Sequence, residues 1–188
     1  MPPRPFPFPF RVGTDICNVP RVRSIITPRA GSEGEPLRPL RHYLKRVFTE
    51  HERQYFWNRF GPEESVLEKA DVISNFLAGS LRDTRFAAKE ACRKAIQHLD
   101  IVQRGFKHIM ILPVTAVDRS KHQSLRPQGL ILDMVYEDFE PTWVKPDGKI
   151  GVIDMSELDG QLCEISISHD GDYATAVAIV PMAEKWEH

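Results

Sequence analysis

Leu162-Cys163-Glu164-Ile165-Ser166-Ile167-Ser168-His169-Asp170-Gly171-Asp172-Tyr173-Ala174-Thr175-Ala176-Val177-Ala178-Ile179-Val180 is two Ile- and Val-rich runs flanking His169-Asp170-Gly171-Asp172. That is the pattern of a β-hairpin. Alternation puts Ile165 and Ile167 on one sheet face and Ser166 and Ser168 on the other, and delivers His169 to the turn. Similar segments bounded by Gly, Pro or Asp predict strands over 106–114, 129–134 and 150–153, with a short first strand over 10–17. Upstream the period changes to that of helices. A helical pattern covers 40–47. Thr49-Glu50-His51-Glu52 is a capping box that starts a helix through Tyr55, Phe56 and Phe60, which Gly61-Pro62 stops. Val66, Leu67, Ala70, Ile73, Phe76 and Leu77 recur at three and four residues, and 85–98 reads as another amphipathic helix. Helices early and strands late predict an α+β fold, with the helices packed on a mainly antiparallel sheet.

The 188 residues fit a proline-rich arm over 1–9 and a single domain over 10–188. No apolar run approaches the ~20 residues that a membrane helix needs, so a spanning protein is not expected. Cys17, Cys92 and Cys163 are odd in number and share no C-x-x-C spacing, which predicts a reducing, intracellular setting without a disulfide framework or zinc knuckle. The five prolines of the first ten residues are incompatible with the amphipathic helix of a typical mitochondrial transit peptide. Formal charge is −1 overall, but residues 1–50, 51–132 and 133–188 carry +5, +4 and −10. The chain is thus a basic body with an acidic last third. Nucleic-acid binding by that body is set aside, because Arg21, Arg23, Arg29 and Arg38 are not interleaved with stacking aromatics and no recognition motif is present.

Three places carry residues suited to chemistry. Glu90 and Lys94 stand four apart on a helix whose Ala87, Ala88, Ala91 and Ala95 allow close backbone approach, so they share one face. They read either as a surface ion pair or as a carboxylate and an ammonium that hold a divalent cation and a phosphate oxygen. Asp15 follows Gly13 at the end of the first strand. It is either a turn or capping residue or the second carboxylate of that cation site. Ser166, Ser168 and His169 place small hydroxyls and an imidazole at a strand end, a set suited to phosphate; the other six histidines show no metal spacing.

Val12-Gly13-Thr14-Asp15-Ile16, then Arg85-Phe86-Ala87-Ala88-Lys89-Glu90-Ala91-Cys92-Arg93-Lys94-Ala95, then Ser166-Ile167-Ser168-His169-Asp170 resemble, in order, the three signatures of 4′-phosphopantetheinyl transferases of the holo-acyl-carrier-protein synthase type. Arg46-Val47-Phe48-Thr49-Glu50-His51-Glu52 is similar to a further family stretch between the first two. The resemblance implies transfer of 4′-phosphopantetheine from coenzyme A to a serine of an apo-acyl carrier protein of fatty acid biosynthesis, with release of adenosine 3′,5′-bisphosphate. It implies Asp15 and Glu90 as Mg2+ ligands, Asp15, Glu90 and Lys94 as the catalytic set, and Arg85, Lys94, Ser168 and His169 as contacts to coenzyme A. It further implies that a carboxylate such as Glu90, or a water on the metal, takes the serine proton. Arg21 and Arg23 are implied to dock the acidic carrier.

A fungal stand-alone enzyme is the setting expected, mitochondrial, with cytoplasmic as the alternative. Bacterial members are trimers with sites between subunits, so the resemblance implies a homotrimer, whereas apparent insertions near 27–39, 80–84 and 115–129 favour a monomer. Family members commonly carry a glycine turn after the lysine-alanine of the second signature; here Ile96-Gln97-His98-Leu99 follows. This departure leaves a non-catalytic coenzyme A or carrier-binding protein of the same fold as the alternative.

Overall fold

Strand β1 (Phe10–Asn18) ends on Asn18, whose side-chain oxygen accepts from Arg21 N at 2.9 Å and starts helix α1 (Val19–Ile26) with Pro20 in its first turn. The computed structural model describes residues 8–27, 36–61, 66, 69, 72–73, 77, 85–96, 105–113, 127–136 and 158–182. Helix α2 (Arg38–Val47) begins two residues earlier than its apolar pattern, because Pro39 suits the first helical turn. Helix α3 (Glu50–Phe60) has the predicted capping box with both of its bonds, and Gly61 closes it at φ 85°. Helix α4 spans Phe86–Ala95, and a 3₁₀ turn over Phe106–His108 leads into β2 (Ile109–Pro113). Strands β3 (Pro127–Leu132), β4 (Gly160–Asp170) and β5 (Tyr173–Pro181) complete the described elements.

The five strands form one antiparallel sheet in the order β1-β5-β4-β3-β2. The α+β expectation is met. The hairpin differs from expectation in one respect: His169 and Asp170 are still in the β4 ladder, and only Gly171-Asp172 makes the turn, with Gly171 at φ 51°. The Asp172 carbonyl accepts from Val19 N at 2.9 Å, so this turn seats the start of α1. The arm over 1–7, most of the 27–39 segment, much of the helix expected from the 66–77 spacing, residues 80–84, 97–99 and 115–126, and the strand expected over 150–153 lie outside the described residues. Val66, Ile73 and Leu77 of that helix are described and buried, as their spacing requires.

Helix α4 lies on the sheet face that carries Ala174, Ala176 and Ala178, and turns Ala87, Ala88, Ala91 and Ala95 to it. Small residues on both sides bring the helix close. A Cβ built on Gly13 would stand 1.9 Å from the Ala91 carbonyl oxygen and 2.7 Å from Ala95 N, so only glycine fits there. Phe48, Phe56, Leu44, Ile109–Leu112 and Leu130–Leu132 fill the rest of the core. His51 is buried against the edge of Tyr136, and burial lowers its pKa from the ordinary 6.5. The unfolded chain therefore takes up more protons below that value, and stability present above it is lost as pH falls. A His51→Phe variant is expected to show a shallower fall in Tm between pH 6.5 and about pH 5, measured by scanning calorimetry.

Candidate active site

Asp15 lies two residues beyond the close contact at Gly13, at the rim of α4. Its backbone carbonyl accepts from Thr175 Oγ1 at 3.0 Å, which ties β1 to β5. Lys94 reaches across from α4, with Nζ donating at 2.9 Å to Asp15 Oδ1 and at 2.9 Å to the Thr14 carbonyl. Glu90 stands one helical turn back on the same face. Arg93 Nη1 lies 3.9 Å from its Oε1, a loose ion pair. Side-chain exposures of 14% for Asp15, 24% for Glu90 and 49% for Lys94 leave all three in partial contact with solvent. Asp15 and the Lys94 ammonium thus meet where β1 passes under α4, and Glu90 stands one turn away on the same helix face.

The remaining candidates divide. His169 shares the sheet face of Asp15: Ala176 pairs with Asp15 and Ile167, and Ala174 with Cys17 and His169. Two strand spacings and two residues along the strand put it about 12 Å away. Ser168 pairs with Thr175 and so lies on the opposite face, away from Asp15. Arg85 was expected beside coenzyme A, but it is fully buried: Nε donates to the Ile111 carbonyl at 2.8 Å, and the guanidinium lies 4.7 Å from the ring centre of Tyr55. Arg21 and Arg23 are exposed on α1, which leaves the end of β1 just after Asp15.

Sequence reasoning missed α1 itself, although Asn18, Pro20 and the spacing of Val19, Val22 and Ile26 signalled it. It also missed Lys89, which is buried and joined at 2.6 Å to Glu52. Burial draws the Lys89 ammonium below the usual lysine range, and the Glu52 charge opposes this. Cys17, Cys92 and Cys163 are free and buried; Cys92 and Cys163 face each other at 3.6 Å between sulfurs. Burial pushes the Cys17 thiol up to about 11.

No model of a known protein family matches the chain. The mitochondrial 4′-phosphopantetheinyl transferase B of Aspergillus fumigatus is 30% identical over 185 residues, covering 93% of this chain and 95% of the relative. The chain belongs to the 4′-phosphopantetheinyl transferase family. A fungal enzyme standing on its own accords with this match. Among solved structures, the ACPS–CoA complex of Chronobacterium ammoniagenes is 23% identical with a TM-score of 0.43, over 93% of this chain and 98% of that one. The holo-ACP-synthase of Plasmodium yoelii is 18% identical with a TM-score of 0.48, over 93% and 95%. In this transferase the polar group of Asp15, Glu90 and Lys94 comes from the first two signatures, and His169 of the third lies on the same side of the sheet.

Proposed function

We propose that the enzyme transfers 4′-phosphopantetheine from coenzyme A to a serine of an apo-acyl carrier protein, giving the holo-carrier and adenosine 3′,5′-bisphosphate. The contact of Lys94 with Asp15, with Glu90 on the same helix face, carries this reading. Among the described residues no three His, Cys, Asp or Glu side chains cluster as a metal site. A pair of part-exposed carboxylates is nevertheless what Mg2+ takes, since it uses one or two protein carboxylates and completes its shell with water and substrate phosphate oxygens. The donor set fits, and Asp15 and Glu90 would hold the ion, which supplies charge neutralisation to the pyrophosphate. Lys94, already facing Asp15, is placed to turn its ammonium to a phosphate oxygen. In this reading Glu90, or a water on the ion, accepts the serine proton as the serine oxygen bonds to phosphorus, the pyrophosphate P–O bond breaks and the bisphosphate leaves. Positioning and charge neutralisation account for most of such catalysis. His169 reaches a more distant part of the coenzyme.

Arg21 and Arg23 offer the acidic carrier a positive surface beside the site. Carrier affinity is expected to fall with added salt and by about tenfold in Arg21→Glu, while coenzyme A binding changes less; titration calorimetry with each ligand measures both. The sheet face opposite α4 exposes Val12, Ile16, Leu162, Tyr173 and Ile179, an apolar patch of the kind that marks an interface. Copies of this chain are its proposed occupants, as a homotrimer. Light scattering is expected to give three chain masses; the mass of one chain would contradict it. The relative is mitochondrial by name, and we place this enzyme in the same compartment.

Chromatography of the nucleotide products tests the reaction. Adenosine bisphosphate is expected only when coenzyme A, Mg2+ and a carrier with an intact serine are all present. Coenzyme A bound without any such release would establish the non-catalytic binding protein instead.

A further inference from the structure

Arg85 and Lys89 form one i, i+4 pair at the start of α4 and Glu90 and Lys94 form another, turned from the first by about 140°. Lys94 of the outer pair meets Asp15; the inner pair is buried without exposure. Lys89 Nζ has three acceptors, Glu52 Oε2 at 2.6 Å, the Val47 carbonyl at 2.7 Å and the Phe106 carbonyl at 3.0 Å, which match the three N–H of an ammonium. Glu52 Oε2 also accepts from Thr49 N at 2.8 Å and Thr49 Oγ1 at 3.0 Å, and Oε1 accepts from Ile111 N at 2.9 Å with Arg85 Nε 3.9 Å away. The cluster therefore ties α4 to the end of α2, the cap of α3, the 3₁₀ turn and β2.

Stability alone does not account for such a pair, since apolar residues of similar volume commonly serve as well or better. Geometry does. On its other side α4 meets the sheet mainly through alanines and Gly13, with Cys92 facing Cys163 at 3.6 Å, a contact of small side chains that interlock little and so hold its rotation weakly. A charge pair with directional hydrogen bonds is satisfied at only one rotation and height.

We infer that the buried Glu52–Lys89 pair, with Arg85 beside it, is the positioning device that sets the rotation of α4 and so brings Lys94 to Asp15 and fixes the direction of the face that carries Glu90. The inference rests on the transferase reading above for its kinetic consequence and on the structure alone for its geometric one. Its test is the double variant Glu52→Gln/Lys89→Met, which keeps the volumes and an acceptor for the cap. The variant is expected to fold and to bind coenzyme A within about threefold of wild type, while kcat falls about 100-fold, the scale of a misplacement near 1 Å. Its crystal structure is expected to show the Glu90 Cα displaced by more than about 0.5 Å, the tolerance of a catalytic group. Wild-type kcat in the folded variant, or α4 unmoved within that distance, would overturn the inference. If wild type itself transfers nothing, the proposed reaction fails and the position of α4 alone decides. If the double variant does not fold, Glu52→Gln alone takes its place, with an expected tenfold fall in kcat at unchanged KM; a kcat equal to wild type would again overturn it.

Discussion

Gly13→Ala is expected to destabilise the protein by about 3 kcal/mol or more, at the upper end of what overpacking costs. The added methyl would stand 1.9 Å from the Ala91 carbonyl oxygen, and helix backbone, unlike a side chain, cannot swing aside. For a chain of this size, a loss of that order lowers Tm by roughly 6–12 °C. The helix that must retreat carries Glu90 and Lys94, so transfer falls in whatever fraction stays folded. Gly105→Ala is the control: its Cβ meets nothing within 4 Å, and its Tm is expected within about 2 °C of wild type. Thermal melts of both variants, run beside the transfer assay, check the contrast.

Glu90→Gln is expected to lower kcat by about 10²–10³-fold, the range for removing one preorganised group that handles transition-state charge, with little change in Tm. Glu90 is part-exposed and its ion pair with Arg93 is loose, so stability has little to lose. Asp15→Asn is expected to act differently. It removes a carboxylate that faces Lys94 at 2.9 Å, and its main effect should be a higher Mg2+ requirement, read from rate against Mg2+ concentration. The surface pair it breaks is worth about 0.2–1 kcal/mol, too little for instability to mimic a loss of rate. Equal Mg2+ dependence in Asp15→Asn and wild type would remove Asp15 from the ligand set.

Local features were legible in the sequence because each is settled within a few residues. The Thr49–Glu52 capping box appears with both bonds, and the alternation of Ile165, Ser166, Ile167 and Ser168 divides them between sheet faces as read. The alanines of α4 were rightly taken as a surface for close approach, and Gly13 is where that approach is tightest. Where long-range partners decide, the sequence was silent or misleading. Arg85 and Lys89 look like solvent-seeking cations until β2 and the α3 cap enclose them; the Lys89–Glu52 pair spans 37 residues, and the Arg85 bond to Ile111 spans 26. Lys94 finds Thr14 across 80 residues. His169 was read into the turn, but its backbone pairs with Ala174 because β5 continues the ladder that far. Ser168 was grouped with the imidazole by adjacency, and the period of two that separates neighbours on a strand sends it to the other face.

Intact-mass spectrometry of an apo-acyl carrier protein, after incubation with coenzyme A, Mg2+ and this enzyme, addresses the proposed reaction at the bond it forms. The carrier is expected to gain the mass of one phosphopantetheine group with wild type, and to gain it far more slowly with Glu90→Gln. A carrier of unchanged mass with wild type, or equal rates with both proteins, would contradict the assignment of the reaction to the surface that carries Asp15, Glu90 and Lys94.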